Sequence, residues 1–393
     1  MRILFVVEST TAGVRTQVFT LASAIDQRRY AVTVACPPER AQSYGDRCFV
    51  GDLERARIPV VQVPMSRSIR PADDARALAA LVQIIRREQI DLVHAHSSKA
   101  GFLGRVAARV AGVPSVYTPH GLYFLGLRSP LKRRFFLLLE QLAGRLGDRV
   151  IAVSPGEYAH AQRAHIAPAE RIVCIENGIR QPQLPADYRR AAMRASLGAG
   201  HGPLIGTVAR MSAQKDPRLF LEAARDLLGA VPAARFVWCG SGDLQPQAEA
   251  WANELGVAHA VRFLGHREDA LAVMAALDCF WLTSAYEGLP TVLMEAMALG
   301  VPIVASDAVG TRDLLRGQAG LLAPAQRPDA IASATQMLLA RADRRAAMLR
   351  TGGAWVRERW SAERMAGATM ALYDQVLKIR PQALPDTIAY GAL

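Results

Sequence analysis

Cysteine is scarce in this chain of 393 residues, and its copies are too scattered to form a Cys-x-x-Cys pair. This pattern is typical of reduced thiols in the cytosol, and it argues against a disulfide framework or a cysteine-based metal site. The five are Cys36, Cys48, Cys174, Cys239 and Cys279.

Long hydrophobic runs are also missing. No stretch approaches the roughly 20 apolar residues that a helix needs to cross a bilayer. The apolar run from Met1 to Val7 is ended by Glu8, too early for a signal peptide. We therefore expect a cytoplasmic protein without a spanning segment. Aromatic residues make up only 6% of the chain, which disfavours a nucleic-acid surface where aromatic and basic side chains alternate.

Acidic residues are few in the first half of the chain. Residues 1–190 contain 27 Lys and Arg against 16 Asp and Glu, whereas residues 191–393 contain 20 and 19. The net charge of +12 therefore belongs almost wholly to the first half. Such a field attracts nucleic acid, an anionic membrane surface or a phosphorylated substrate, and charge alone does not choose among them.

Short, continuous apolar runs alternate with segments of helical period along the chain. A strand buried on both faces has this signature, and the alternation predicts parallel sheets with helices on both sides. The predicted strands are Arg2–Val7, Val32–Ala35, Val60–Val63, Leu92–Ala95, Ser115–Thr118 and Val150–Val153 in the first half, and Leu204–Ala209, Arg235–Cys239, Val261–Leu264, Cys279–Thr283 and Ile303–Ala305 in the second.

The length of the chain predicts two domains, because it exceeds the size at which a single core keeps growing. The fold class is therefore α/β, with two doubly wound parallel-sheet domains facing a central cleft. We assign an N-terminal domain to residues 1–180, a linker to 181–203, a C-terminal domain to 204–358, a last helix to 359–380 and a mobile tail to 381–393.

The loops that follow the strands build the site in such sheets. Gly13 lies in a small-residue turn after the first strand, where a ligand can approach the backbone. Lys99 follows the fourth strand beside serines that can cap the next helix, so it is a candidate for an acceptor phosphate. His120 follows the fifth strand between a proline and a glycine, and we predict that it lies in the site. The alternatives are a solvated lysine and a buried structural histidine.

A basic and apolar helix is predicted from about Leu127 to Leu146. Lys132, Arg133 and Arg134 form a cluster ahead of a run of apolar residues. A helix that lies on anionic lipid has this composition. A helix with its apolar face in the core and its basic residues in solvent would look similar. We favour the membrane, because the positive excess is confined to this half of the chain.

Phosphate-binding groups follow the strands of the second half. Arg210 can make bidentate contacts with phosphate oxygens, and Lys215 adds a point charge nearby. Gly240 and Gly242 form a short turn in which the backbone can approach a ligand. Arg267 ends a third strand, and the loop there is placed to frame a base.

Two carboxylates bracket a predicted helix start near residue 290. Pro290 suits the first helical position, and the free N–H groups of a helix start favour an anion. Glu287 precedes this start and Glu295 lies within the helix. Two carboxylates that bind hydroxyl groups on either side of a phosphate suit a nucleotide sugar. Taken alone, the same residues are more typical of surface or capping glutamates.

Together these motifs resemble the retaining GT-B glycosyltransferases of family 4. The resemblance covers nearly the whole chain, to about residue 375. Segments 96–101 and 118–121 are similar to the members that extend lipid-linked bacterial polysaccharides. Ala12-Gly13 departs from the usual pair of glycines, which leaves the acceptor side open. The matching motifs are Glu287-x7-Glu295, Arg210-x4-Lys215, Gly240/Gly242 and Asn177-Gly178-Ile179.

The resemblance implies a GT-B enzyme that moves a sugar from a nucleotide-diphosphate donor to a saccharide on polyprenyl diphosphate. It implies work on bacterial surface polysaccharides at the inner face of the cytoplasmic membrane, whose anionic surface is then a partner. We expect UDP rather than GDP. Arg210, Lys215 and the N–H groups near Leu289 and Thr291 would stabilise the diphosphate, so no metal ion or other cofactor is expected.

The resemblance also implies roles for the remaining candidates. Glu295 would hold the ribose hydroxyls, and Glu287, beside Gly288, the hydroxyls of the donor sugar. His120 would contact the sugar near the reacting carbon, with Gly13 and Lys99 on the acceptor side. No protein nucleophile is nominated, since the acceptor attacks from the face of the leaving group, whose phosphate helps to take up the proton.

Two other classes stay open at this point. A GT-B epimerase acts on the UDP-sugar itself, and it would carry acid and base groups in the N-terminal domain and form an epimer without an acceptor. A basic nucleic-acid-binding protein would carry a positive stripe alternating with aromatic residues. We expect no nucleic-acid partner.

Overall fold

A computed structural model describes residues 1–10, 12–38, 44–66, 68–127 and 129–378 of the chain. The tail at 381–393, for which the sequence predicts mobility, lies outside these residues. The described residues form two α/β domains, each built on one parallel sheet. The fold class predicted from the alternating apolar runs is confirmed.

The N-terminal sheet consists of β1 (Arg2–Val7), β2 (Ala31–Cys36), β3 (Val60–Gln62), β4 (Leu92–His96), β5 (Ser115–Thr118), β6 (Arg149–Ala152) and β7 (Ile172–Cys174). Their spatial order is β3-β2-β1-β4-β5-β6-β7, and all neighbours are parallel. Residues 3–7 of β1 are fully buried, because helices cover both faces of the sheet.

The C-terminal sheet consists of β8 (Leu204–Val208), β9 (Arg235–Cys239), β10 (Val261–Gly265), β11 (Cys279–Leu282), β12 (Ile303–Ser306) and β13 (Leu321–Ala323). Its order is β10-β9-β8-β11-β12-β13, again with parallel neighbours. Phe220 packs edge-on against Trp238 and Trp281 at the centre of one of its faces.

The helices lie between successive strands and at the end of the chain. Prolines begin several of them, and Ser129, Ser154, Asp216 and Ser361 each accept a backbone N–H as N-caps. They are α1 (Ala12–Ala24), α2 (Tyr44–Arg55), α3 (Pro71–Arg87), α4 (Ser98–Ala111), α5 (Pro130–Leu146), α6 (Pro155–Arg163), α7 (Arg190–Ser196), α8 (Pro217–Ala230), α9 (Gln245–Glu254), α10 (Ala270–Ala275), α11 (Thr291–Ala298), α12 (Val309–Leu315), α13 (Pro328–Ala340), α14 (Ala342–Glu358) and α15 (Ala362–Val376).

The segment predicted as a linker, 181–203, contains a helix. Arg194 on α7 donates to the carboxylate of Asp278 at 2.7 Å, and the same carboxylate accepts the N–H of Leu204 at 2.8 Å. Much of the segment is therefore bound to the C-terminal domain. This helix was not predicted, because its charged and alanine-rich sequence has no clear apolar periodicity.

The chain passes between the two domains twice, and the two crossing segments are hydrogen-bonded to each other. The N–H of Ile179 donates to the carbonyl of Trp360, and the N–H of Ala362 donates to the carbonyl of Ile179, each at 2.9 Å. The guanidinium of Arg359 binds both carboxylate oxygens of Glu176 at 2.6 and 2.9 Å. Beyond this hinge, α15 packs into the core of the N-terminal domain.

Candidate active site

The carboxyl ends of the two sheets face each other, and two loops meet between them. One follows β5 and carries His120 and Gly121, and the other follows β11 and carries Gly288. A Cβ atom placed on Gly288 would lie only 3.0 Å from the backbone nitrogen of Gly121. Glycine is needed at 288 because a side chain would push against the opposite loop. The predicted acceptor and donor residues are therefore adjacent.

Helix α11 begins in this gap. Thr291 is its first residue and Pro290 its N-cap, one residue later than the sequence predicted, and the Pro290 side chain makes no capping hydrogen bond. The carbonyl of Leu289 accepts a hydrogen bond from the side chain of Asn177 at 3.4 Å, which ties the loop to the hinge. The N–H of Leu293 donates to the carbonyl of Pro290 at 3.1 Å. Among the described residues, the N–H groups of Thr291 and Val292 are left for another acceptor, and a helix start favours an anionic one.

Lys215 and Glu287 form an ion pair in front of this helix start. Their side chains are 18% and 8% exposed, so water screens the pair only partly. The loop that carries Lys215 is fixed to the one that carries Glu287. The hydroxyl of Thr283 donates to the carbonyl of Lys215 at 2.8 Å, and the side chain of Gln214 donates to the carbonyl of Tyr286 at 3.0 Å.

Arg210 starts the same loop and is partly buried. Among the described residues no hydrogen-bond or ionic partner holds its guanidinium. Gly240 and Gly242 support it from the next loop, since Cβ atoms there would lie 2.2 and 2.1 Å from the carbonyl oxygens of Ala209 and Met211. These glycines allow a close approach, as predicted, but the close neighbour is the Arg210 loop of the protein itself.

Glu295 lies one turn into α11 and is partly buried. Burial raises the pKa of its carboxyl group to about 7, because in the described part of the chain no cation compensates the lost hydration. A carboxylate in such a position gains most from a ligand that donates hydrogen bonds. Vicinal hydroxyl groups meet this requirement.

Three predicted site residues are not placed as the sequence suggested. Two of them are bound to neighbouring carboxylates, and the third lies in open surroundings. Lys99 pairs with Asp74 at 2.6 Å, which neutralises the charge proposed for an acceptor phosphate. Arg267 binds both oxygens of Asp269, at 2.7 and 2.6 Å. Gly13 lies in the first turn of α1 rather than in a connecting turn, with nothing near the position of a Cβ atom. Their roles stay predictions.

His120 stands at the end of a row of three imidazoles. His96 Nδ1 and His120 Nε2 are hydrogen-bonded at 3.0 Å, and the His94 ring lies against His96 at 4.1 Å between centroids, tilted by 34°. Burial lowers the pKa of His94 to about 3 and that of His120 to about 4, and it holds the pKa of His96 well below the ordinary value. All three rings are therefore neutral near pH 7.

Several residues of this region were missed by the sequence analysis. The hydroxyl of Tyr373 on α15 contacts His94 Nδ1 at 2.5 Å, and Thr118 contacts His94 Nε2 at 2.8 Å. The carboxylate of Glu157 accepts the N–H of Gly121 at 2.7 Å. Tyr373 and Glu157 lie in helices of ordinary composition, and no local motif distinguishes them.

Helix α5 leaves its apolar stripe uncovered. Leu131, Phe135, Leu138, Leu142 and Leu146 are 83%, 49%, 50%, 55% and 38% exposed. The spacing of these five residues places them along one face of the helix. These five residues do not pack in the core, whereas Phe136 and Leu137 of the same helix pack against a buried cluster, as the alternative expected. Lys132, Arg133 and Arg134 are exposed in the first turns.

The inner face of α5 is held by polar contacts. Buried Arg105 on α4 donates to Glu140 at 3.0 Å, and the hydroxyl of Tyr117 donates to the other oxygen of this carboxylate at 3.0 Å. The guanidinium of Arg105 also lies 4.0 Å above the Tyr117 ring. We refer to Arg105, Tyr117 and Glu140 as the α5 anchor. The anchor attaches the helix without using its outer leucines.

Two absences hold for the residues that the structure describes. No helix there is long and apolar enough to cross a membrane. Within the same residues, no group of three or more His, Cys, Asp and Glu side chains is placed to hold a metal ion.

Known protein families match both domains. The model described as "Glycosyl transferase 4-like domain" matches residues 12–178, and "Glycosyl transferases group 1" matches residues 202–341. The UDP-Gal:alpha-D-GlcNAc-diphosphoundecaprenol alpha-1,3-galactosyltransferase of Escherichia coli is 30% identical over 260 residues, 65% of this chain and 67% of the relative. The 2-deoxystreptamine glucosyltransferase of Streptomyces kanamyceticus is 26% identical over 351 residues, 83% of this chain and 90% of the relative.

One solved structure shows the shared architecture along nearly the whole length. The crystal structure of Anabaena HepE in complex with UDP-glucose has a TM-score of 0.82 and 24% sequence identity, and the match includes 95% of this chain and 100% of that one. At this identity the likeness establishes the common fold.

Proposed function

This chain belongs to the family-4-like glycosyltransferases of the GT-B fold, and from that membership we propose that it transfers a sugar from a UDP-linked donor to a saccharide carried on polyprenyl diphosphate. The Escherichia coli relative, by its name, uses UDP-Gal and a diphosphoundecaprenol-linked GlcNAc. The Anabaena neighbour holds UDP-glucose. Both support a UDP-sugar donor for this protein, and the Escherichia coli relative supports a lipid-linked acceptor.

The observation that carries the proposal is the uncapped start of α11 between Glu287 and Glu295, with Lys215 in front of it. A nucleoside diphosphate brings two phosphates to such a helix start and hydroxyl groups to either side. We assign the diphosphate to Arg210, Lys215 and the N–H groups near Thr291. In this arrangement fixed positive groups meet the negative charge that builds on the leaving phosphate.

The reaction is proposed to retain the configuration of the anomeric carbon. The bond from this carbon to the β-phosphate oxygen breaks while the acceptor hydroxyl oxygen forms the new bond from the same face. The proton of that hydroxyl passes to the departing phosphate, so charge and atoms balance without a protein nucleophile. Metal independence follows, because Arg210 and Lys215 supply the positive charge. The prediction is that turnover is unchanged after treatment with EDTA.

The carboxylates and the histidine are proposed to position the donor. Glu295 accepts hydrogen bonds from the ribose hydroxyls, and Glu287 accepts them from the hydroxyls of the sugar. A neutral His120 from the opposite domain contacts the sugar near the reacting carbon. Closure of the domains over the donor excludes water and completes this site.

A peripheral location at the inner face of the cytoplasmic membrane is part of the proposal. The uncovered stripe of α5 gives an apolar surface, and Lys132, Arg133 and Arg134 supply charge for anionic lipid headgroups. The loop of His120 leads into α5 within ten residues, so the reacting end of a lipid-linked acceptor would lie close to the membrane.

A donor panel tests the proposal. UDP, GDP, UDP-galactose, UDP-glucose, UDP-N-acetylglucosamine and GDP-mannose are added separately, and the apparent melting temperature is measured, since ligand binding stabilises the folded state by mass action. We expect stabilisation by UDP and by one or more UDP-sugars, and little by GDP. The stabilising sugars are then incubated with GlcNAc-diphosphoundecaprenol and the products analysed.

The same incubations separate the alternatives. Transfer that needs the lipid-linked acceptor, with the donor configuration retained in the product, supports the proposal. An epimer formed from a UDP-sugar alone would assign the protein to the epimerases. Stabilisation by none of the nucleotides would remove the donor assignment altogether.

A further inference from the structure

The turn that carries His120 has an unusual backbone. His120 and Gly121 have φ angles of +56° and +112°, in the region that side chains other than glycine rarely adopt. A histidine held in this conformation is costly, and such residues persist where their surroundings over-determine them. His96 holds the ring at Nε2, and Gly288 lies against the backbone of the turn.

A third contact comes from a residue that the transfer chemistry does not use. Glu157 is 3% exposed, and its two carboxylate oxygens divide between two elements. One oxygen accepts the N–H of Gly121 at 2.7 Å, and the other accepts the N–H of Val153 at 2.7 Å. The carboxylate therefore joins the residue after His120 to the end of β6.

Helix α6 holds this carboxylate in place. The backbone N–H of Glu157 donates to the hydroxyl of its N-cap, Ser154, at 3.0 Å. The N–H of Gly156 donates to the carboxylate of Asp313 in the other domain at 2.7 Å. The first turn of α6 is thus fixed on both sides, so Glu157 is a rigid support for the His120 turn.

The chemistry of the contact suits an ionised carboxylate. Only an ionised carboxyl group offers two acceptor oxygens and no donor, so protonation or an amide would turn a donor toward one of the two N–H groups. No cation among the described residues pairs with Glu157, and burial raises its pKa to about 7. A buried and unpaired carboxylate lowers stability. A role in the site explains its presence better than a role in folding.

We propose that Glu157 is the positioning residue of the His120 turn, which fixes the backbone at Gly121 so that the imidazole is presented to the donor. This inference rests on the proposed function of His120. It adds a residue from a helix that contributes no group to the donor. Glu157 acts through the turn and does not touch the sugar.

A double-mutant cycle tests this coupling. The variants are Glu157→Gln, which keeps the size of the side chain, His120→Ala, and the two combined, with Glu170→Gln as an exposed control. UDP affinity is measured together with kcat for the UDP-sugar that the wild type consumes. We expect Glu157→Gln to lower kcat about tenfold or more while the Kd for UDP stays within about twofold. The combined variant should match His120→Ala alone.

Each result of the cycle has a distinct meaning. If the fold-losses in kcat of the two single variants multiply in the combined variant, the two residues act independently and the positioning role is overturned. An unchanged kcat in Glu157→Gln would overturn it as well. Either result leaves His120 in the site. An unchanged kcat in His120→Ala would remove both the proposed role of His120 and the inference that depends on it.

A second measurement does not depend on turnover. Hydrogen exchange of the peptide that contains residues 118–124 is followed by mass spectrometry in the wild type and in Glu157→Gln. Faster exchange in the variant, together with changed ¹⁵N shifts of the His120 ring, supports the proposal. Identical exchange and identical ring shifts in the two proteins would contradict the proposal. This test is valid even if no UDP-sugar is consumed.

Discussion

The ammonium group of Lys215 is bound to the carboxylate of Glu287, across the entrance to the first turn of α11. Both groups are assigned to the donor, Lys215 to its phosphates and Glu287 to its sugar. In the structure the two groups bind each other. A bound donor would therefore exchange one ion pair for two contacts, so substitutions at the two residues should change the affinity for UDP in opposite directions.

Lys215→Ala should lower turnover by at least about tenfold, because a charge that stabilises the leaving phosphate is lost. The affinity for UDP should fall as well, since Glu287 then lies unpaired near the diphosphate. Steady-state kinetics and calorimetry with UDP measure the two effects. Normal activity would remove Lys215 from the site.

Glu287→Gln should also lower turnover, but it should strengthen UDP binding. Freeing a partly buried lysine from its partner is worth up to about 1 kcal/mol, or about fivefold in Kd. Glu358→Gln, an exposed position on α14, is the control and should change neither quantity. Weaker UDP binding in Glu287→Gln would contradict the competition between carboxylate and phosphate.

Gly288→Ala should impair the approach of the two loops. Its Cβ atom would lie 3.0 Å from the Gly121 nitrogen and 3.2 Å from the His120 carbonyl carbon. Backbone cannot yield as a flexible side chain can, so kcat should fall on the order of tenfold through misplacement of the His120 turn. Gly229→Ala on α8, where nothing lies within 4 Å, is the matched control. Equal kcat in both variants would show that the loops separate during turnover.

The buried histidines should make the protein sensitive to acid. His94 has a folded-state pKa of about 3 and an ordinary value of 6.5. The folded state therefore binds fewer protons than the unfolded state, and stability is present above pH 6.5 and lost as pH falls toward 3. Glu157 and Glu295 have pKa values raised to about 7, so their protonation favours the folded state as pH falls from 7 to their ordinary value of 4.5. In this range they offset part of the stability that the histidines lose. The loss of stability with falling pH should therefore become steeper below pH 4.5.

A variant isolates the contribution of His94. In His94→Gln the titrating group is absent, so the free energy of unfolding of the wild type should approach that of the variant as pH falls from 6.5. The difference should shrink by about 1.4 kcal/mol per pH unit. Urea unfolding at several pH values measures it. A difference that is constant between pH 6.5 and 4 would mean that His94 is protonated in the folded protein.

Binding to anionic vesicles should depend on both parts of the outer surface of α5. Replacing Lys132, Arg133 and Arg134 with Gln should weaken partitioning to vesicles of phosphatidylcholine and phosphatidylglycerol by about tenfold or more, at about 1 kcal/mol per basic residue. Leu131, Leu138 and Leu142 replaced with Gln should do the same on vesicles of either charge. The matched control replaces Arg344, Arg350 and Arg357, which are exposed on α14.

The outcome of that comparison is decisive for the helix. Turnover of a soluble acceptor should be largely unchanged in all of these variants, because none of the replaced side chains faces the cleft. If partitioning is the same in the α5 variants and in the α14 control, the membrane is not the partner of this surface.

Much of the fold was predictable because buried parallel strands have a local signature. Every continuous apolar run taken as a strand became one, within one or two residues at each end. β7 and β13 were not predicted, since each is only three residues long and both contain exposed positions, Cys174 and Leu322. Short edge strands are defined by the neighbour they pair with, which a local pattern does not contain.

The candidate site was predictable only as far as spacing determines it. The positions of Arg210, Lys215, Glu287 and Glu295 at strand and helix ends follow from the order of elements. The ionic and hydrogen-bond partners of these residues do not follow from the order of elements. That Lys99 would be neutralised by Asp74, 25 residues earlier, depends on how α3 and α4 pack.

The same limit applies to α5. Its apolar periodicity was visible, but the inward face is held by the α5 anchor together with Phe136 and Leu137, whose contacts come from other elements.

The α5 anchor has a consequence for how the surface of this protein can change. Most amphipathic helices use a single apolar face, so any change that suits a new environment also disturbs the core. Here attachment and outward contact are separate, and substitutions along the stripe should cost the fold little, within about 0.5 kcal/mol each. The outer leucines are therefore free to adapt to a new lipid composition, or to a protein partner, while the donor site and the histidine row remain as they are.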